Sequence, residues 1–474
     1  MNRDDNRPMG ASSNNLRSIP SIDRLLNDLT PSPVPRPLLA ELARGLIVEI
    51  RSDGNVPDYP ETLRLLEKRV VHLAQMRLQS VINATGIPLH TNLGRSPLSA
   101  EAVRLIAEVA SGYCNLEFQI GDGARGSRGE YLERCLGVLC GCSGVAVVNN
   151  CAASLFLVLN QAVLDARPEV VISRGELVQI GGGFRIPDIL SSSGAEMCEV
   201  GTTNRTTLED YKAAITDRTG LILVVHRSNF YMDGFVTTPS LKELSALAKE
   251  VDVPLVFDQG SGAMVDTDGF EGIGHERTVS EALSIGADLV CFSGDKLFGG
   301  PQAGLIAGDA GIIKTLKANP MYRALRCDKL TLSALQATTE AYLSSGGGEI
   351  QEGGGGIPLY EIVAQSIDQL RERSERIVGA LEGKQLEVQI VDTITEMGGG
   401  TLPRSQMPSI ALAVASKTLS PSKLTRLLRE GRPSVIGYVT SGVCHLDLRA
   451  VKPGQDEILI AALQRLDSEM KSEK

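Results

Sequence analysis

Lys296 stands in the stretch "FSGDKLFGGPQAG", after a short apolar run and before a glycine pair. A long cationic side chain in so tight a corner suggests an amine that another molecule must approach closely. An amine becomes a nucleophile toward a carbonyl when its pKa is lowered and its geometry is held. Asp258, which ends the run "PLVFD", offers a carboxylate from a second strand-like segment. Asn150, in "VVNNCAASLFLVLN", sits where a strand gives way to a helix opened by the small residues Cys151 and Ala152. The backbone amides of such a helix start suit a phosphate.

A lysine for a Schiff base, a carboxylate for a ring nitrogen and an amide cradle for a phosphate are together the needs of pyridoxal 5'-phosphate. Ser293, three residues before Lys296, can add a hydroxyl. Each feature alone is common, since many strands end in Asp and most lysines after a strand lie at the surface. Their order along the chain, each at a strand end, is what points to a cofactor site.

The elements that must position these residues are short apolar runs between helical segments: "GVAVVNN", "EVVISRGE", "AEMCEVGTT", "GLILVVHRS", "VPLVFDQG" and "ADLVCFSGDK". Continuous apolar runs alternating with helices predict an α/β fold with a largely parallel sheet covered on both faces. Ligands in such folds gather at the carboxyl ends of the strands. The polar residues Asn149, Asn150, Arg174, Glu176, His226, Asp258 and Lys296 fall at those ends. The predicted organisation is a disordered tail over 1–19, a helical domain over 20–78, a large α/β domain over 79–340 and a small α+β domain over 341–474. The glycine-rich "SSGGGEIQEGGGGIP" between the last two reads as a mobile loop or hinge.

Composition narrows the function classes. Hydrophobic residues make up 42% and charged residues 22% of the 474, as in ordinary globular proteins. Trp is absent, so the core must rest on aliphatic side chains. No apolar run approaches the ~20 residues of a membrane span, and the first residues do not resemble a secretory signal, so a cytoplasmic protein is expected. Nine cysteines in so long a chain are expected as reduced thiols. Cys140 and Cys142 form a C-x-C pair without a second pair, so no metal site is expected. The net charge of −10 argues against general nucleic-acid binding, although residues 1–78 are near neutral and permit local contacts.

The stretches "VINATGIPLHTNLGRSPLS", "SRGELVQIGGGFRIPDI", "EVGTTNRT", "FSGDKLFGGPQAG" and "RALRCDKLTLSAL" closely resemble motifs of bacterial selenocysteine synthase, the L-seryl-tRNA(Sec) selenium transferase family. The resemblance runs from about Ile19 to "LDLRAV". It implies the aminotransferase-like fold (fold type I) of pyridoxal-phosphate enzymes, with Lys296 as the Schiff-base lysine. It further implies conversion of seryl-tRNA(Sec) to selenocysteinyl-tRNA(Sec) with selenophosphate, through a cofactor-bound aminoacrylate. The implied partners are seryl-tRNA(Sec), held by the helical head, and copies of the same chain in a pentamer of dimers.

By the same resemblance Arg95, Arg323 and Arg326 bind selenophosphate. A helix through "MYRALRCDKL" would put the last two on one face. Asp295 either assists proton transfer or caps the glycine loop. His226 contacts the ring or substrate, or is simply a satisfied histidine. Arg174 and Glu176 read as an ion pair lining the pocket, and Arg449 as an arginine with an unknown partner. Cys151 departs from the family, which tends to continue "NN" with another asparagine. The rival readings are a pyridoxal-phosphate lyase acting on a free amino acid or sugar acid, and an inactive tRNA-binding scaffold.

Overall fold

The computed structural model describes residues 19–472 except 30, 54–55 and 382–384, so the tail expected over 1–19 lies outside the described residues save Ile19. The chain divides into two compact units, 1–80 and 81–474. Among the described residues of the first, three helices form: α1 (Ile22–Asp28), α2 (Arg36–Asp53) and α3 (Tyr59–Gln75). Leu39, Ala43, Leu46, Ile47 and Ile50 of α2 recur at three- and four-residue spacing, which turns them to one buried face. Leu66, Val70 and Ala74 of α3 and Leu25 and Leu26 of α1 join them in one core. Burying a side chain of Leu or Ile size contributes about 1.5–3 kcal/mol, enough to assemble helices this short. Ser21 and Asp58 cap α1 and α3 by accepting from Arg24 N and Glu61 N.

The second unit is built on a seven-stranded sheet: β1 (Gly144–Val148), β2 (Glu169–Ser173), β3 (Glu196–Val200), β4 (Thr219–Val225), β5 (Leu255–Gly260), β6 (Leu289–Ser293) and β7 (Gly304–Gly308). The order is β1-β7-β6-β5-β4-β2-β3. All neighbours are parallel except β7, which runs antiparallel to β6 and β1. The continuous apolar runs resolve into two faces with period two. Val145, Val147, Leu255, Phe257, Val290 and Phe292 join one core cluster. Ala146, Val148, Val256, Leu289, Cys291 and Ile306 join another, with helix α4 (Cys151–Leu164) packed on that side. Asp258 shares the parity of Val256, and Ser293 that of Cys291, so both turn toward the start of α4.

A four-stranded antiparallel sheet has the order β8 (Glu387–Thr395), β9 (Met407–Ala415), β11 (Val443–Asp447), β10 (Tyr438–Thr440). Val81–Asn83 pairs in parallel with Ser434–Ile436. The stretch assigned by sequence to the start of the large domain therefore begins beside C-terminal residues. The glycine-rich segment is not an open loop. It forms a helix over Gly347–Gly353 and a turn packed on Pro358–Val363. There Gly354 adopts φ +83°, and a Cβ on it would lie 2.4 Å from Glu361 N.

Gly304 opens β7 directly against the start of α4, where an added Cβ would fall 2.0 Å from the Asn150 carbonyl oxygen. Backbone offers no rotamer escape, so Gly304→Ala is expected to destabilise the unit by about 1–3 kcal/mol, the usual range for overpacking. Denaturant unfolding followed by near-ultraviolet circular dichroism checks this, and an unchanged midpoint would refute it.

Candidate active site

The loop between β6 and β7 carries Lys296. Its base is closed by Gly294 N donating to Ala303 O (2.9 Å) and Gly300 N to Gly294 O (2.8 Å). Leu297 N reaches Ser261 O at 2.9 Å. From behind, Tyr342 donates its hydroxyl to Phe298 O (3.0 Å) and Tyr360 to Leu297 O (2.7 Å). Held in this way, Lys296 is only 4% exposed. Burial pushes its ammonium pKa below the usual lysine range, and the Arg95 charge adds to this, while Asp258 and Asp295 oppose it. A lowered pKa is what an amine nucleophile needs.

Asp258, also buried, has its carboxyl pushed up to about 6 by desolvation, against the pull of Lys296. The Cys151 thiol donates to its Oδ1 at 3.6 Å. Burial holds that thiol well above the ordinary cysteine range, so it stays protonated and able to donate. Asn150 caps α4 by accepting from Ala153 N (2.9 Å), and its own carbonyl takes Ser154 N (3.1 Å). The amides of Cys151 and Ala152, in the first turn of α4, have no acceptor among the described residues and are open to a ligand. His226 donates its backbone N–H to Asp258 O (2.9 Å), and its Nε2 lies 3.2 Å from Glu276 Oε1. Glu276 also accepts from the Ser261 hydroxyl at 2.5 Å.

One cavity of about 330 Å³ takes in Asn150, Cys151, Ala152, His226, Asp258, Ser293, Asp295, Lys296 and Arg95. Gln259 and Gln302 line it as well; both lie in the stretches "VPLVFDQG" and "FSGDKLFGGPQAG", whose pattern did not single them out as site residues. Two buried polar atoms around it, Arg95 Nε and Gln259 Oε1, have no partner among the described residues. Free amides at a helix start, a buried carboxylate and a buried amine match the phosphate, ring nitrogen and aldehyde of pyridoxal phosphate.

The arginines distribute differently from expectation. Arg95 reaches the cavity but pairs with Asp295 at 2.8 Å. Arg323 is exposed on the short helix Pro320–Leu325 and does not line the cavity. That helix stops before Arg326, so the two arginines do not share a helical face. The reason is tertiary: Leu325 O accepts from Asn149 N (2.9 Å), and Arg326 lies extended in a bridge with Val148. Its guanidinium stands 3.6 Å from Glu117, a carboxylate shared with Arg125 and Arg128.

Residues 81–452 match the family described as L-seryl-tRNA selenium transferase (SelA). The chain is 38% identical over 456 residues to the L-seryl-tRNA(Sec) selenium transferase of Aquifex aeolicus, covering 94% of this chain and 99% of that one. It is 39% identical over 462 residues to that of Clostridium perfringens, covering 95% and 98%. The chain belongs to this family. Its fold is the aminotransferase-like fold of pyridoxal-phosphate enzymes. A solved D-glucosaminate-6-phosphate ammonia-lyase shares the architecture, with a TM-score of 0.57 at 20% identity over 84% of this chain and 98% of that one.

In this member of the selenium transferase family, Arg449 has an internal task. Buried, it donates to Gln365 O (2.5 Å), Val363 O (3.3 Å) and Pro408 O, so its partners are backbone carbonyls. The expected Arg174–Glu176 pair does not form, and neither residue lines the cavity. Arg174 turns outward to Glu199 (3.0 Å) and Gly201 O (2.8 Å). Glu176 turns inward and accepts from Val225 N at 3.0 Å.

Burial pushes the Glu176 carboxyl from 4.5 up to about 7. A raised carboxyl pKa means that the folded state binds the proton more tightly than the unfolded one. The contribution of Glu176 to stability is therefore fullest below pH 4.5 and is lost as pH rises through 7. Glu176→Gln keeps the acceptor for Val225 N–H and removes the ionisation. Its advantage over the natural chain should grow by about 3 kcal/mol across that window. Denaturant midpoints measured at several pH values read this directly, and a constant difference would refute it.

Proposed function

We propose that this chain carries out the reaction of its family, converting seryl-tRNA(Sec) to selenocysteinyl-tRNA(Sec), with pyridoxal 5'-phosphate as cofactor and selenophosphate as selenium donor. The observation that carries the reading is the meeting of Lys296, Asp258 and the free amides of Cys151 and Ala152 in one cavity. Lys296 would hold the cofactor aldehyde, Asp258 its ring nitrogen, and the start of α4 with Ser293 its phosphate, with His226 beside the ring. Bound there, pyridoxal phosphate supplies an electron sink for loss of the serine α-proton and hydroxyl.

The chain's own residues do the rest. The Lys296 amine, biased toward its neutral form, takes the α-proton. Asp295 holds the Arg95 guanidinium at the cavity wall, and Arg95 faces the incoming anion. Arg323 and Arg326 belong to the same anion site, completed when copies of the chain assemble as a pentamer of dimers. Arginine's planar fork suits a phosphorus oxyanion. The helical head holds tRNA(Sec). Its Arg44, Arg51 and Lys68 are exposed, whereas Arg64 and Arg69 are engaged with Glu61 and Glu49. The reaction takes place in the cytoplasm.

The purified protein is expected to be yellow, with a visible band that changes on adding seryl-tRNA(Sec) but not free serine. A response to free serine alone, or no band after supplying the cofactor, would overturn the reading. Asp258→Asn is expected to weaken cofactor retention, measured by reconstitution of the stripped protein. Arg323→Ala should keep the band and tRNA binding yet lose selenium transfer, and full transfer by that variant would remove Arg323 from the anion site.

A further inference from the structure

A second pocket, of about 500 Å³, adjoins the catalytic cavity, and His226 lines both. Its other walls are Arg227, the segment from Phe230 to Asp233, the segment from Gly274 to Glu276, and the turn Leu402–Ser405. Tyr231 is 56% exposed, and the Arg404 guanidinium carbon stands 4.1 Å above the centre of its ring. The turn beneath is firmly seated. Leu402 is buried, Ser405 N donates to Leu402 O (2.9 Å), and Met397 N donates to Ser405 Oγ (2.8 Å). We infer that this pocket receives the 3'-terminal nucleoside of the aminoacyl-tRNA, whose base stacks on the Tyr231–Arg404 pair.

The argument rests on the function proposed above and joins two constraints. Serine reaches the cavity as an ester of the 3'-terminal ribose. With the serine α-carbon beside Lys296, that nucleoside is only a few bonds away and must occupy space next to the cavity. The Tyr231–Arg404 platform itself then favours a base over a phosphate. Arg404 is paired with Asp233, so the platform offers a flat cation–aromatic stack without an unneutralised charge. A base has a π face and no charge, and single-stranded nucleic acids bind through such stacks. Arg227 also lines the pocket and forms no ion pair among the described residues, so a phosphate is the competing occupant that the position of the label must exclude.

The test uses the full-length holoenzyme and tRNA(Sec) bearing 8-azidoadenosine at its 3' end. After irradiation, the label is expected on the peptide carrying Tyr231 or on that carrying Leu402–Ser405. Separately, Tyr231→Ala should raise KM for seryl-tRNA(Sec) roughly tenfold, within the range for loss of one base stack, and leave the cofactor absorption unchanged. Tyr231→Phe should restore the natural value. Label found elsewhere, or an unchanged KM in Tyr231→Ala, while the natural protein transfers selenium, would overturn the pocket assignment alone. Failure of the natural protein to transfer selenium would overturn the parent function and this assignment with it.

Discussion

Taking an ammonium group out of water is expensive, with an effective penalty of several kcal/mol per ion even after relaxation, and the catalytic unit is organised around doing so at Lys296. The protein meets that cost with Asp258 and Asp295 close by and with a loop that cannot open without breaking contacts to Tyr342 and Tyr360. Those tyrosines come from helices far along the chain, so the lysine is held by the second half of the unit as much as by its own strand. Asp258 is desolvated in turn, and neither group is fully at ease in its charged form. Such mutual perturbation marks a site where a ligand completes the electrostatics.

The return of β7 is the topological counterpart of that electrostatic constraint. By running antiparallel between β1 and β6, it brings Gly304 against Asn150 and leaves the carboxyl ends of β1, β5 and β6 adjacent. Cradle, carboxylate and amine therefore converge although 146 residues separate Asn150 from Lys296. The parity of β5 and β6 does the local aiming, turning Asp258 and Ser293 to the α4 side.

Much of this was legible in the sequence because it depends on local pattern. Apolar runs gave the strands, and polar residues at their ends gave Asn150, His226, Asp258 and Lys296. What stayed hidden depends on distant partners. The helix through Arg323 ends early because Leu325 O is claimed by Asn149, which spacing along the chain does not reveal. Arg449 has a partner that the sequence leaves unknown until carbonyls from residues 362–365 and 408 are seen around it. Glu276, which sets the orientation of His226, lies in "GIGHERT" with no pattern to mark it. The glycine-rich segment misleads in the opposite way: Gly354 is required by close packing, not by freedom of movement.

The pairing of Val81–Asn83 with Ser434–Ile436 bears on how the protein is made. During synthesis the first strand of the catalytic unit must wait for its partner, about 350 residues downstream, to leave the ribosome. The helical head has only local contacts to form, and such contacts form fast. The head therefore folds while the ribosome is still translating, and the catalytic unit closes only near the end of translation. Through that interval the apolar strands of the large sheet are made without their covering C-terminal elements, and chaperone holding would matter most then.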